Sequence, residues 1–194
     1  LNFYDYLDGR LSNLRINAPF ESARFVIITK DAIWNAHPYK GLHKISFNEK
    51  GEPVISVYED KKGILSRNHN KLFKVRNKMV LTSDNGIFEY DETAKDFVRS
   101  AFFEKMLGGK TVSYLKEDAK GNIWFCRGKR LGIIDVSEKE PRTVFIAEID
   151  DKIMAGGFED INIIDSANVL VAAEKGFFHI NYAQYKQTRF PLKV

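Results

Sequence analysis

Gly121-Asn122-Ile123-Trp124-Phe125-Cys126-Arg127-Gly128-Lys129-Arg130-Leu131-Gly132-Ile133-Ile134-Asp135 is the stretch that decides how this chain folds. An aromatic and β-branched run, a glycine-bearing turn and a second apolar run describe two antiparallel strands joined by a hairpin. The same plan recurs at Asp31–Ile45, Asn77–Tyr90 and Ala167–Ile180. The large apolar residues Trp34, Val80, Trp124 and Leu170 stand 46, 44 and 46 residues apart. Gly41, Gly86, Gly132 and Gly176, read as the turn glycines, stand 45, 46 and 44 apart. Two markers keeping one period identify an internal repeat.

Outward from these hairpins lie further strand-like runs: Phe25–Ile28 and Val54–Tyr58; Leu72–Val75 and Phe97–Phe102; Val112–Leu115 and Thr143–Ile146; and Ile161–Ile164. Four strands in about 45 residues is the size of one β-propeller blade. The expected fold is therefore all-β, with about four blades of four-stranded antiparallel meanders. A segment of a larger ring, seven-bladed or similar, is the favoured arrangement, and a closed four-bladed ring is the alternative. Blade boundaries fall at 21–66, 67–109, 110–155 and 156–194, with 1–20 read as the end of a preceding blade. The hairpins at Asp84-Asn85-Gly86 and Glu174-Lys175-Gly176 read as tight, while His37–Lys40 and Arg127–Leu131 read as longer. Ala101–Leu107 can form one helical turn.

A hydrophobic share of 44% with 29% charged residues excludes a disordered tail. The net charge of +4 is spread along the chain without a like-charged block, so no nucleic-acid contact is expected. One cysteine, Cys126, excludes a disulfide scaffold and, inside an apolar run, reads as an inert core thiol. No apolar stretch reaches the roughly 20 residues of a membrane span. Beginning at Leu1 with no basic-then-apolar leader, the chain reads as a piece of a longer protein.

Chemistry-bearing patterns are sparse. His37, His43, His69 and His179 never pair at ligand spacing with one another or with Cys126, so no metal is expected. Ser66, Ser83, Ser100 and Ser113 lack a nucleophile elbow. The acid pairs Glu59-Asp60, Glu117-Asp118, Glu148/Asp150 and Glu159-Asp160 stand at turns, where carboxylates are usually solvated. Leu107–Thr111 lacks the spacing of a phosphate-cradling loop, and no cofactor is indicated. Trp34 and Trp124 share a repeat position with Val80 and Leu170, which marks an inter-blade core site. The candidate ligand-binding residues are those of the two longer hairpins: His37, Tyr39 and Lys40, and Arg127, Lys129 and Arg130. Aromatic and cationic groups together suit an anionic sugar or a partner's carboxylates.

Glu117-Asp118-Ala119-Lys120-Gly121-Asn122-Ile123-Trp124-Phe125 with Gly132-Ile133 resembles the two-component regulator propeller repeat, an Asp/Gly/Asn-Ile-Trp core followed by a Gly-hydrophobic hairpin. Ile33–Leu42, Val80–Asp91 and Ala173–Tyr182 are similar, with Val80 and Leu170 departing from the tryptophan. Together they resemble the last blades of Bacteroidetes-type sensor regulators that carry a triple-tyrosine domain after the propeller. The resemblance implies a periplasmic, membrane-anchored sensor whose output is a histidine kinase or a helix-turn-helix domain. It implies a glycan or small-molecule ligand, and contacts with neighbouring blades and the triple-tyrosine domain. Uncovered terminal blades also lead to an expectation of self-association. A propeller scaffold for constitutive protein assembly is the alternative, and an enzyme is not expected.

Overall fold

The computed structural model describes residues 4–13, 24–58 and 68–189. Seventeen strands and two α-helices are present among these residues. β1 (Tyr4–Leu7) and β2 (Arg10–Asn13) form an isolated hairpin, two strands where the sequence suggested the end of one blade. Blade one is β3 (Phe25–Ile28), β4 (Ile33–His37), β5 (Gly41–Phe47) and β6 (Pro53–Tyr58). Blade two is β7 (Lys71–Val75), β8 (Lys78–Ser83), β9 (Gly86–Asp91) and β10 (Asp96–Arg99). Blade three is β11 (Tyr114–Glu117), β12 (Ile123–Arg127), β13 (Arg130–Asp135) and β14 (Arg142–Phe145). Blade four has β15 (Ile161–Ile163), β16 (Val169–Ala173) and β17 (Gly176–Ile180). Each is an antiparallel meander in chain order, and the chain is a four-bladed β-propeller.

Two helices interrupt the strand pattern. α1 (Ala101–Leu107) follows blade two, where the sequence suggested a strand reaching Phe102. The Ser100 hydroxyl accepts from the Phe103 N–H, and Gly108, at φ +62°, closes the other end in a left-handed cap. α2 (Tyr182–Arg189) follows β17, so blade four has three strands rather than the four expected.

The core is a stack of inter-blade layers. Along β12, Ile123 and Phe125 pack toward blade two, while Trp124 and Cys126 pack toward blade four. Along blade two, Leu72, Leu81, Phe88 and Phe97 face blade one, and Phe73, Val75, Val80 and Ile87 face blade three. Both faces of an inner blade are thus apolar, which is why the strands read as continuous hydrophobic runs instead of alternating ones. In blades one to three the tryptophan position points forward: Trp34 into blade two, Val80 into blade three, Trp124 into blade four.

The glycine register needs correcting. Arg127 pairs with Arg130 across a two-residue loop, so the blade-three hairpin is as short as those of blades two and four. Its turn glycine is Gly128, at φ +59°, not Gly132. Gly132 lies inside β13 opposite Phe125, where an added Cβ would sit 2.2 Å from the Phe125 ring. The position equivalent to Gly86 and Gly176 is Arg130. Only blade one has a longer loop, Pro38-Tyr39-Lys40.

The signature around Trp124 has a physical basis. The Asp118 carboxylate accepts the backbone N–H groups of Lys120 and Asn122, the Asn122 side-chain amide, and the Trp124 indole N–H at 3.3 Å. One side chain therefore closes the turn before β12 and orients the core tryptophan. Asp165 does the same for Ala167 and Asn168 ahead of β16. Thr29 substitutes in blade one, exchanging hydrogen bonds with Ala32.

Candidate functional site

The first strands of successive blades neighbour one another, β3 beside β7 and β7 beside β11, so these strands line the propeller axis. Phe25, Lys71 and Tyr114 occupy one repeat position, each opposite the penultimate residue of its second strand, Ala36, Thr82 and Cys126. Phe25, Lys71 and the residues just before Tyr114, Thr111 to Ser113, line a cavity of about 480 Å³ that opens between the hairpins joining the second and third strands of blades one to three. Blade four closes it through Gly156, Gly157 and Glu159. Phe25, Pro38, Tyr39 and Val112 make part of the wall apolar; Arg24, His69, Lys71, Asp84, Arg127 and Glu159 supply charge and polarity. The volume is that of a small-molecule site.

Lys71 is the least expected of these groups. Its Nζ donates to the Ser113 carbonyl at 2.9 Å and stands 3.5 Å from Glu159. The pair ties blade two to blade four across the innermost strand of blade three, and both side chains are nearly enclosed (11% and 2% exposed). Burial pushes the Lys71 ammonium below its ordinary range; Glu159 works in the opposite direction, and Arg24 adds to the lowering. A buried pair of this kind fixes geometry more than it adds stability. At the mouth, His69 Nδ1 meets Asp84 at 2.8 Å, and the Tyr39 ring stands edge-on to both His37 and His69. Arg24 lies over the Phe158 ring at 4.7 Å. Tyr114 donates to Asp160 at 3.0 Å, and burial together with that carboxylate pushes its hydroxyl up to about 12.

The six candidate ligand residues divide. Tyr39 and Arg127 line the cavity. His37 braces Tyr39, its Nδ1 accepting the Tyr39 N–H at 3.1 Å, and Lys40 is exposed beside it. Lys129 and Arg130 leave the site: Lys129 pairs with Glu174 at 2.5 Å and Arg130 with Asp150 at 2.9 Å. The cavity residues that the hairpin reading missed, Arg24, Lys71, Val112 and Glu159, stand at or just before the innermost strands. A lysine opening an inner strand directly before the apolar pair Leu72-Phe73 was the available signal.

Cys126 is buried, and that burial pushes its thiol up to about 12, so it stays protonated near neutrality. Trp34 and Trp124 are core residues, packed against Tyr58, Tyr90 and Phe97 and against Tyr182 respectively. Among the described residues no group of three or more His, Cys, Asp or Glu side chains could hold a metal, and no helix is long and apolar enough to cross a membrane. Ser66, Glu59-Asp60 and residues 190–194 lie outside the described residues.

No protein-family model and no curated protein matches the chain. Solved structures do. The extracellular domain assigned to a hybrid two-component system of B. thetaiotaomicron matches over 93% of this chain at 15% identity, with a TM-score of 0.54. One assigned to a one-component system of the same organism matches over 82% at 13% identity, with a TM-score of 0.53. The chain spans 23% and 22% of those two chains. At such identities the likeness establishes the fold.

Proposed function

We propose that this chain is a non-catalytic sensor segment from the periplasmic part of a membrane-anchored, signal-transducing transcriptional regulator. Its axial cavity holds a small, glycan-derived ligand, and the occupied state is relayed to a downstream output domain. The observation that carries this reading is the cavity itself, to which all four blades contribute wall. A ligand touching four blades favours one relative arrangement of them, and that differential affinity is what a relay needs. The two carboxylates at the cavity are engaged, Glu159 with Lys71 and Asp84 with His69, which argues against an acid–base pair. The likeness to extracellular domains of signalling systems supports the setting, and neighbouring blades and a triple-tyrosine domain complete the sensor.

The test uses the full-length regulator. Val112→Trp fills the cavity from its apolar wall, and induction of the controlled genes by a glycan pool should fall to basal level at unchanged protein abundance. Unchanged induction would remove the cavity from the signalling path. A scaffold for constitutive assembly is the second reading, favoured by the exposed Val26, Ile28 and Val57 on one face of blade one. Under it, the flanking coding sequence carries neither a membrane span nor an output domain.

A further inference from the structure

We infer that the axial cavity takes a neutral sugar and grips two adjacent hydroxyls of it between the Glu159 carboxylate and the Lys71 ammonium; this rests on the cavity being the ligand site proposed above. Every group around the Lys71 Nζ belongs to a residue lining that cavity. These are the Ser113 carbonyl at 2.9 Å, the Glu159 Oε2 at 3.5 Å and the Phe25 ring, whose centroid is 5.8 Å away. The pair therefore stands in the cavity wall, brought together by blades two and four.

Neither member satisfies the other. A carboxylate accepts several hydrogen bonds at once. Among the described residues Lys71 is the sole ion-pair or hydrogen-bond partner of Glu159, and 3.5 Å is long for a charge-assisted bond. The ammonium likewise has an N–H beyond those directed at Ser113 and Glu159. Polar groups this enclosed are costly to leave underused. A hydroxyl both donates and accepts, so two neighbouring hydroxyls complete both members. One gives its proton to Glu159, and the other accepts from Nζ.

The pair also selects against charge. A carboxylate entering beside Lys71 stands next to Glu159, and an amine cation entering beside Glu159 stands next to Lys71. Each meets a like charge at short range. The other ionic groups at the cavity do not reverse this. His69 is paired with Asp84. The Arg127 guanidinium is turned toward the Leu107 carbonyl and the Phe125 and Phe145 rings, and Arg24 lies over the Phe158 ring. The remaining wall suits the C–H face of a pyranose: Phe25, Pro38 and Val112 are apolar, and Tyr39, 66% exposed, offers its ring at the mouth.

The experiment titrates this chain at pH 7 with D-glucose, D-galactose and D-mannose, each beside its uronate and its 2-amino-2-deoxy counterpart. Backbone amide resonances of Ser113 and Glu159 are followed by NMR. At least one neutral sugar should shift both saturably, with its two charged counterparts at least about tenfold weaker. Lys71→Met should weaken that sugar about tenfold or more, whereas Lys129→Gln, outside the cavity, should not. Glu159→Gln leaves the Lys71 charge unpaired and should reverse the order, so that the uronate binds more tightly than the neutral sugar. Circular dichroism checks that both cavity variants fold, and Tyr39→Ala, at the exposed mouth, should weaken the sugar roughly threefold without touching the core. A uronate or amino sugar that binds the unaltered chain more tightly than its neutral parent would overturn the inference while leaving a ligand cavity in place. An unchanged order of preference in Glu159→Gln would remove the pair from the grip, and no saturable shift with any sugar would overturn the inference outright. The Val112→Trp test reads gene induction in the full-length regulator, so failure of the sensor reading is seen separately.

Discussion

Blade three and blade one carry a tryptophan at the same repeat position, but their surroundings differ. Blade three is covered on both faces: Ile123 and Phe125 are sealed by blade two and α1, and Trp124 by blade four and Tyr182. Blade one is covered in front, where Trp34 meets blade two, and behind its middle strands, where Asn35 and Ile45 are buried, but its innermost strand stands open at the rear. The contrast is clearest at one inner-strand position that recurs as Val26, Leu72, Leu115 and Ile161. The last three are 3%, 3% and 0% exposed, whereas Val26 is 54% exposed. The same β pattern thus yields a core residue or a surface one depending on whether a blade stands behind it. A blade is stabilised by its neighbours more than by its own sheet, as in other repeat architectures.

The largest way to sharpen the comparison is at the tryptophans. Trp124→Ala should cost about 4 kcal/mol, and Trp34→Ala about 1 kcal/mol less, because only Trp124 also loses an indole hydrogen bond to Asp118. Urea denaturation monitored by circular dichroism measures both. A larger cost at Trp34 would break the ranking. At the inner-strand position, Leu115→Ala should cost about 3 kcal/mol and Val26→Ala less than about 0.5 kcal/mol. Equal costs would mean that the inner strand of blade one is covered at the rear after all. Gly132→Ala places a methyl against the Phe125 ring inside the best-packed layer and should cost about 2 kcal/mol. A neutral result there would show the Phe125 ring free to move.

The smallest effect is in acid. Asp135, at the end of β13, accepts from the Tyr182 hydroxyl and the Lys186 ammonium of α2, each at 2.8 Å. Burial would raise its carboxyl, but Lys186, Ser137 and Tyr182 outweigh that and hold it well below the usual carboxylate range. With the folded value depressed, the stabilisation is complete above the unfolded value of about 3.9 and is lost as pH falls toward the folded one. Asp135→Asn should therefore flatten the acid limb of the stability profile below about pH 4. Thr29, which closes the turn before β4 of blade one, carries no titratable group, so Thr29→Ala should leave that limb unchanged.

Much of this was legible in the sequence, for reasons specific to particular residues. The 46-44-46 spacing of Trp34, Val80, Trp124 and Leu170 holds because the first three face the next blade and Leu170 keeps the same strand position in blade four. Gly132 misled because it too precedes an apolar pair; its cause is the ring of Phe125 across the ladder, a contact spacing cannot reveal. A better marker was present: Asn48, Asp91, Asp135 and Asn181 follow or end the third strands, each accepting backbone N–H groups of the turn that follows. α1 was half legible, as a serine cap before Ala101–Leu107. α2 was not, since its anchoring depends on the distant Asp135. At the site, the hairpin reading reached Tyr39 and Arg127, but the inner-strand edge that supplies Lys71 and Glu159 is set by packing around the axis.

The most direct test of the claim that neighbouring blades set the stability of each sheet is native-state hydrogen exchange, resolved by strand. The backbone amides of β7 and β11, each flanked by blades on both sides, should exchange through global unfolding, and those of β3 should exchange far faster through local opening. Equal protection of β3 and β11 would contradict it, because an inner strand exposed on one face would then be as secure as one covered on both.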